Sequence, residues 1–104
     1  MRALIVEDDF TSRKLLEKIL SPFGEVDLAV DGEEAIRCFR RSLDGSKPFN
    51  LICLDIMMPG IDGQQVLKTI REMEQDQGIL PKHEVKIIMT TALDSPKDVI
   101  QAYY

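Results

Sequence analysis

Glu7, Asp8 and Asp9 follow directly on the apolar run Ala3-Leu4-Ile5-Val6, and Asp55 follows directly on Leu51-Ile52-Cys53-Leu54. A third run, beginning at Val85, ends in Thr90 and Thr91. Continuous apolar runs of this length are the pattern of parallel strands covered on both faces. Parallel strands bring their C-terminal tips to one edge, where open α/β sheets bind their ligands. Glu7, Asp8, Asp55 and Thr91 are therefore expected to converge. Two carboxylates about 5 Å apart repel by roughly 3 kcal/mol at an effective dielectric of 20, so a cluster of three calls for a cation or for raised pKa values. Mg2+ suits best, because it takes one or two carboxylates, keeps several waters and pairs with phosphate oxygens. A carboxylate beside Mg2+ can act as a nucleophile and form an acyl phosphate, while a hydroxyl such as that of Thr91 can hydrogen-bond a phosphoryl oxygen. Helix capping alone accounts for Asp9 but poorly for Glu7 and Asp8. For Asp55 and Thr91, ordinary turn roles remain open.

The elements that must position these groups are readable from periodicity. Asp9 is a plausible N-cap for a helix expected to bury Leu15, Leu16, Ile19 and Leu20 and to stop around Ser21-Pro22-Phe23-Gly24. Val26 to Val30 reads as a short strand. Asp31 and Glu34 read as a capping box opening a helix with Ala35, Ile36 and Phe39 inward. Ser42 to Pro48 reads as a loop back to the central strand, which Asp55 ends. Pro59, Gly60 and Gly63 force the chain out of the sheet before a helix over Gln64 to Gln77, with Val66, Leu67, Ile70 and Met73 on one face. After a loop, Val85 to Thr90 forms a fourth strand, and Ser95-Pro96-Lys97-Asp98 predicts the start of a fourth helix carrying Val99, Ile100 and Tyr103. The alternation predicts an α/β fold, a small doubly wound parallel sheet with right-handed crossovers.

The chain has 104 residues and a formal charge of −5, with 44% hydrophobic and 30% charged residues. That predicts one domain and argues against a nucleic-acid or anionic-membrane partner. There is no export signal pattern and no apolar run of membrane-spanning length. Cys38 and Cys53, inside a helix and a strand pattern, suggest reduced, buried thiols in a cytoplasmic protein. His83, the single histidine, has no ligand partners nearby and is expected in a loop.

Leu4-Ile5-Val6-Glu7-Asp8-Asp9, then Leu54-Asp55-Ile56-Met57-Met58-Pro59-Gly60-Ile61-Asp62-Gly63, then Met89-Thr90-Thr91-Ala92 together resemble the receiver domain of two-component response regulators, in the chemotaxis-regulator superfamily. The likeness runs from Met1 to Tyr104 and implies a flavodoxin-like receiver fold with strand order 2-1-3-4. It implies that Asp55 accepts a phosphoryl group from a sensor histidine kinase or phosphotransfer protein. Mg2+ would be bound by Asp8 directly, by Glu7 through water, by Asp55 and by the backbone carbonyl of Met57, and Thr91 would be the switch hydroxyl. The domain would be a phosphoacceptor that assists its own Mg-dependent phosphorylation and dephosphorylation rather than an enzyme.

The family's pattern continues with a fifth strand, a lysine that contacts the phosphoryl group, and a fifth helix. None of Lys82, Lys86 or Lys97 stands at the lysine position. Residues 1–104 are thus expected to be a receiver domain incomplete at its C-terminal side. The strand Val85 to Thr90 would then be an exposed edge, and a homodimer through that strand or the fourth helix is expected. Three alternatives are weighed. An aspartyl phosphatase expects a second acid where Met57 stands. A flavodoxin-like nucleotide binder lacks its phosphate loop. A receiver-like interaction domain that no longer signals by phosphorylation stays open.

Overall fold

The structure is a computed structural model that describes residues 1–56, 58–90 and 100–103, the last four by their backbone alone. Its elements are β1 (Arg2–Val6), α1 (Phe10–Leu20), β2 (Glu25–Ala29), α2 (Gly32–Asp44), β3 (Leu51–Asp55), α3 (Gly63–Asp76), β4 (Lys86–Thr90) and β5 (Ile100–Tyr103), with short 3-10 turns at Ser21–Phe23 and Pro81–His83. The sheet runs β2-β1-β3-β4-β5. The first four strands in that order are parallel, as expected from the sequence.

The strands are apolar on both faces because both are covered. Leu4, Val6, Ile52, Leu54, Ile87 and Met89 join Ala35, Phe39, Val66 and Ile70 of α2 and α3 in the main core. Ala3 and Ile5, on the opposite face of β1, are equally buried, and α1 packs there against β1 and β2. Burying one such side chain stabilises by roughly 1.5–3 kcal/mol, so this double layer is the largest favourable contribution available to a chain of this size.

Register is set at the N-terminal edge of the sheet. The Arg2 amide donates to the Asn50 side-chain oxygen at 2.7 Å, and the Asn50 amide donates to the Arg2 carbonyl at 2.7 Å. The Lys86 amide donates to the Asn50 carbonyl at 3.1 Å. One asparagine thus ties β1, β3 and β4. A buried carboxylate reinforces the entry to β4: Glu74 accepts from the Val85 amide at 2.7 Å and from Arg71 at 2.7 Å.

Three expectations need correction. Leu15 and Ile19 were expected to be buried but are 58% and 52% exposed, and α1 contains no fully buried residue. The helix meets the sheet with its other side, and no described element lies over the outward stripe. The helix expected from Ser95 onward is contradicted where it can be seen. Ile100–Tyr103 is a strand, antiparallel to β4, with Met89 opposite Ala102. The unpaired N–H and C=O groups of β4 offer ladder partners, and a segment rich in Ile and Tyr satisfies them. The β4 edge is therefore occupied, which removes the exposed strand through which a dimer was expected. Ser95, Pro96 and Val99 lie outside the described residues. Finally, α2 runs on to Asp44, so Ser42, expected in a loop, is helical and buried.

Candidate functional site

Strand register brings the acids together. Val6 pairs with Leu54 and Asp55 pairs with Thr90, so the tips of β1, β3 and β4 end level. Glu7 extends the β1 pairing by one step, its amide donating to the Ala29 carbonyl at 3.0 Å. Past β3, the Ile56 amide donates to the Thr90 carbonyl at 3.0 Å, and the Gly63 amide returns to the Ile56 carbonyl at 3.1 Å. A Cβ at position 63 would stand 2.5 Å from the Asp55 carbonyl oxygen, so only glycine lets α3 begin against the end of β3. Asp62 caps α3 by accepting from the Gln65 amide at 2.9 Å.

Glu7, Asp8 and Asp55 each offer a carboxylate oxygen, and these oxygens all lie within 4.8 Å of one another. Glu7 and Asp55 are 3% and 1% exposed, while Asp8 is exposed and opens the cluster to solvent. Burial first, then a hydrogen bond with Asp55 and the charge of Asp55, pushes the Glu7 carboxyl up from 4.5 to about 8. The Asp9 amide, which donates to the Glu7 carboxylate at 3.2 Å, pulls the other way. Without a cation the buried pair therefore holds a proton at neutral pH. Three hard oxygen donors, two of them buried, fit a small divalent ion such as Mg2+.

The loop that carries Glu7 and Asp8 is closed by its own bonds. Asp9 is the N-cap of α1 as expected, accepting from the Ser12 amide at 2.8 Å, and that bond holds its carboxyl below the ordinary carboxylate range. Asp31 caps α2 in the same way, accepting from the Glu34 amide at 2.8 Å, while the Glu34 carboxylate accepts from the Val30 amide. Arg13 reaches back from α1 to the carbonyls of Glu7 at 2.9 Å and Asp8 at 3.3 Å. The sequence reading missed Arg13. Its one signal was its place a helical turn after the cap Asp9, and its partners are backbone atoms, which no residue pattern displays.

Of the five residues read from the sequence as site groups, Glu7, Asp8 and Asp55 are brought together. Met57 and Thr91 lie outside the described residues. Asp9 serves as a cap. Thr90, next to Thr91 in the chain, is buried beside Asp55.

The family model for the response regulator receiver domain matches residues 3–104. The chain is 37% identical over 100 residues to a probable transcriptional regulator, ycf27, of Porphyridium aerugineum, covering 95% of this chain and 36% of that protein. It thus spans about a third of the length of such relatives. Among solved structures it resembles the receiver domain of the histidine kinase CKI1 from Arabidopsis thaliana, complexed with Mg2+ and BeF3−. That match has a TM-score of 0.75 and 30% identity, and it covers 90% of this chain and 67% of that one. It also resembles the Saccharomyces cerevisiae co-crystal of the histidine phosphotransfer protein Ypd1 with the receiver domain of Ssk1. There the TM-score is 0.75 and the identity 27%, with 94% and 68% covered.

Proposed function

We propose that this chain, which belongs to the response regulator receiver domain family, accepts a phosphoryl group on Asp55 from a phosphohistidine of a sensor histidine kinase or phosphotransfer protein. The observation that carries the reading is the convergence of Glu7, Asp8 and Asp55 at level strand tips, with Asp55 alone ending the central strand. An Asp55 carboxylate oxygen attacks phosphorus. The new O–P bond forms as the P–N bond to the donor imidazole breaks, and the electron pair returns to the ring nitrogen, which takes a proton from solvent. The product is an acyl phosphate on Asp55.

Glu7, Asp8 and Asp55 would hold Mg2+, joined by the Met57 carbonyl, with Asp8 a direct ligand and Glu7 acting through water. When bound, the ion supplies charge neutralisation on the transferring phosphoryl group. The Thr91 hydroxyl would take a phosphoryl oxygen. Residues 1–104 would act as a single phosphoacceptor unit, a signalling domain located in the cytoplasm. No described helix is long and apolar enough to cross a membrane.

The test is uptake of phosphate from a small acyl phosphate donor in the presence of Mg2+, read by intact mass. One phosphoryl group is expected, and Asp55→Asn abolishes it. Unchanged uptake in Asp55→Asn would move the nucleophile elsewhere, and no uptake by the parent chain would leave a receiver-like interaction domain as the better reading.

A further inference from the structure

We propose that Arg13 is a positioning residue for the acid cluster: its guanidinium fixes the two peptide units on either side of Asp8 and so aims the Asp8 carboxylate. The inference rests on reading Glu7, Asp8 and Asp55 as the Mg2+ site. Of the three acids, Asp8 is the exposed one, so packing does not orient it. Beyond the hydrogen bond between its carboxyl and that of Glu7, its direction depends on where its own backbone launches the side chain, and that backbone is held from α1. Nη1 of Arg13 donates to the Glu7 carbonyl at 2.9 Å and to the Asp8 carbonyl at 3.3 Å. These carbonyls belong to the peptide bonds before and after the Asp8 Cα, so the rotations that would swing its side chain are braced on both sides.

The brace is itself anchored. The Arg13 amide donates to the Asp9 carbonyl at 2.9 Å in the first turn of α1, and the Asp9 carboxylate holds the Ser12 amide. The Asp9 amide donates to the Glu7 carboxylate. Residues 7 to 13 thus form a closed ring of hydrogen bonds in which Arg13 is the long-range link. Phe10, 63% exposed, lies with its ring 5.6 Å from the Arg13 guanidinium carbon. At that distance the ring is within reach of a cation–π contact with Arg13.

The sign of the effect separates positioning from simple charge. A guanidinium close to the site repels a divalent cation, so if Arg13 acted only through its charge, removing it would tighten Mg2+ binding. If it acts by holding the Asp8 peptides, removing it loosens a ligand and weakens binding. Loss of an outer group that orients a ligand typically weakens metal affinity about 10- to 100-fold.

The experiment is a Mg2+ titration of the whole chain followed by amide NMR shifts for the parent, Arg13→Met and Arg13→Lys. Amide hydrogen exchange at Asp8 and Asp9 is measured in chelator on the same samples. Arg13→Met is expected to bind Mg2+ about tenfold more weakly, with faster metal-free exchange at Asp8 and Asp9 and unchanged exchange in β3. Arg13→Lys keeps the charge but ends one bond short of where Nη1 meets the two carbonyls, and it is expected to weaken binding as well. Should Arg13→Met fail to fold, Arg13→Lys alone decides. Tighter or unchanged binding in Arg13→Met, or parent-like binding in Arg13→Lys, overturns the inference while leaving the Mg2+ site standing. A parent chain whose Glu7, Asp8 and Asp55 amides ignore Mg2+ overturns the site itself.

Discussion

Replacing Glu7 with glutamine should change how stability depends on pH, in a direction fixed by the buried pair. Glu7 ordinarily titrates near 4.5 and is pushed up to about 8 in the fold. Between those values the folded chain holds a proton that the unfolded chain releases. Its contribution to stability is fully present below 4.5 and is lost as pH rises through about 8. Each pH unit inside the window is worth about 1.4 kcal/mol, so the metal-free parent should lose roughly 2 kcal/mol between about pH 6 and pH 8 relative to Glu7→Gln. Groups away from the Glu7–Asp55 pair are common to both chains and cancel in the difference. The assay is urea unfolding in chelator at several pH values. Because burial is the first cause of the shift and Asp55 only a further one, Asp55→Asn should weaken the parent's slope without removing it. Adding Mg2+ near pH 8 should stabilise the parent by about 1.4 kcal/mol at tenfold excess over its dissociation constant, and Glu7→Gln, which keeps Asp8 and Asp55, by less at the same Mg2+ concentration. Parallel pH profiles for parent and Glu7→Gln would refute the reasoning, because they would mean that Glu7 is ionised in the metal-free fold.

Phe39, 1% exposed between α2 and the sheet, is the largest fully buried side chain among the described residues. Phe39→Ala should cost about 3–5 kcal/mol by denaturant unfolding. Cys53 is buried, and that burial pushes its thiol up to about 11, whereas Cys38 is half-buried. Alkylation of the native chain near neutral pH, followed by peptide mass, should therefore label Cys38 first and reach Cys53 only on unfolding.

The first four strands and the acids at their tips were readable from the sequence because each rests on a strong local signal, whereas the strand order came from the family resemblance alone. Leu51 to Leu54 has no polar alternation, and Asp55 breaks it where the chain must leave the sheet. The exposure of Leu15 and Ile19 was not readable. Their helical spacing shows that α1 has an apolar stripe but not which neighbour covers it. The segment around Ile100 to Tyr103 is too short for periodicity to separate helix from strand, and the free edge of β4 decided the outcome. The Arg13 brace was hidden because both its acceptors are carbonyls, identical in every residue type.

Asn50 bears on the accuracy of a site it does not touch. β1 and β3 are apolar on both faces, so a slip of one residue would still bury apolar side chains, and hydrophobicity alone is an insensitive judge of alignment. Such a slip moves a strand by about 3.3 Å, most of the 4.8 Å span that holds the three acids. The bond from the Arg2 amide to the Asn50 side-chain oxygen opposes it, because a slip would break this one side-chain tie between β1 and the start of β3. In an engineer's terms Asn50 is the datum from which the tips are measured, about 16 Å along β3 from Asp55. The tolerance of the acid cluster is thus set at the far end of the sheet, where a substitution would look like a change to a surface loop and read out as a loss of alignment among the carboxylates.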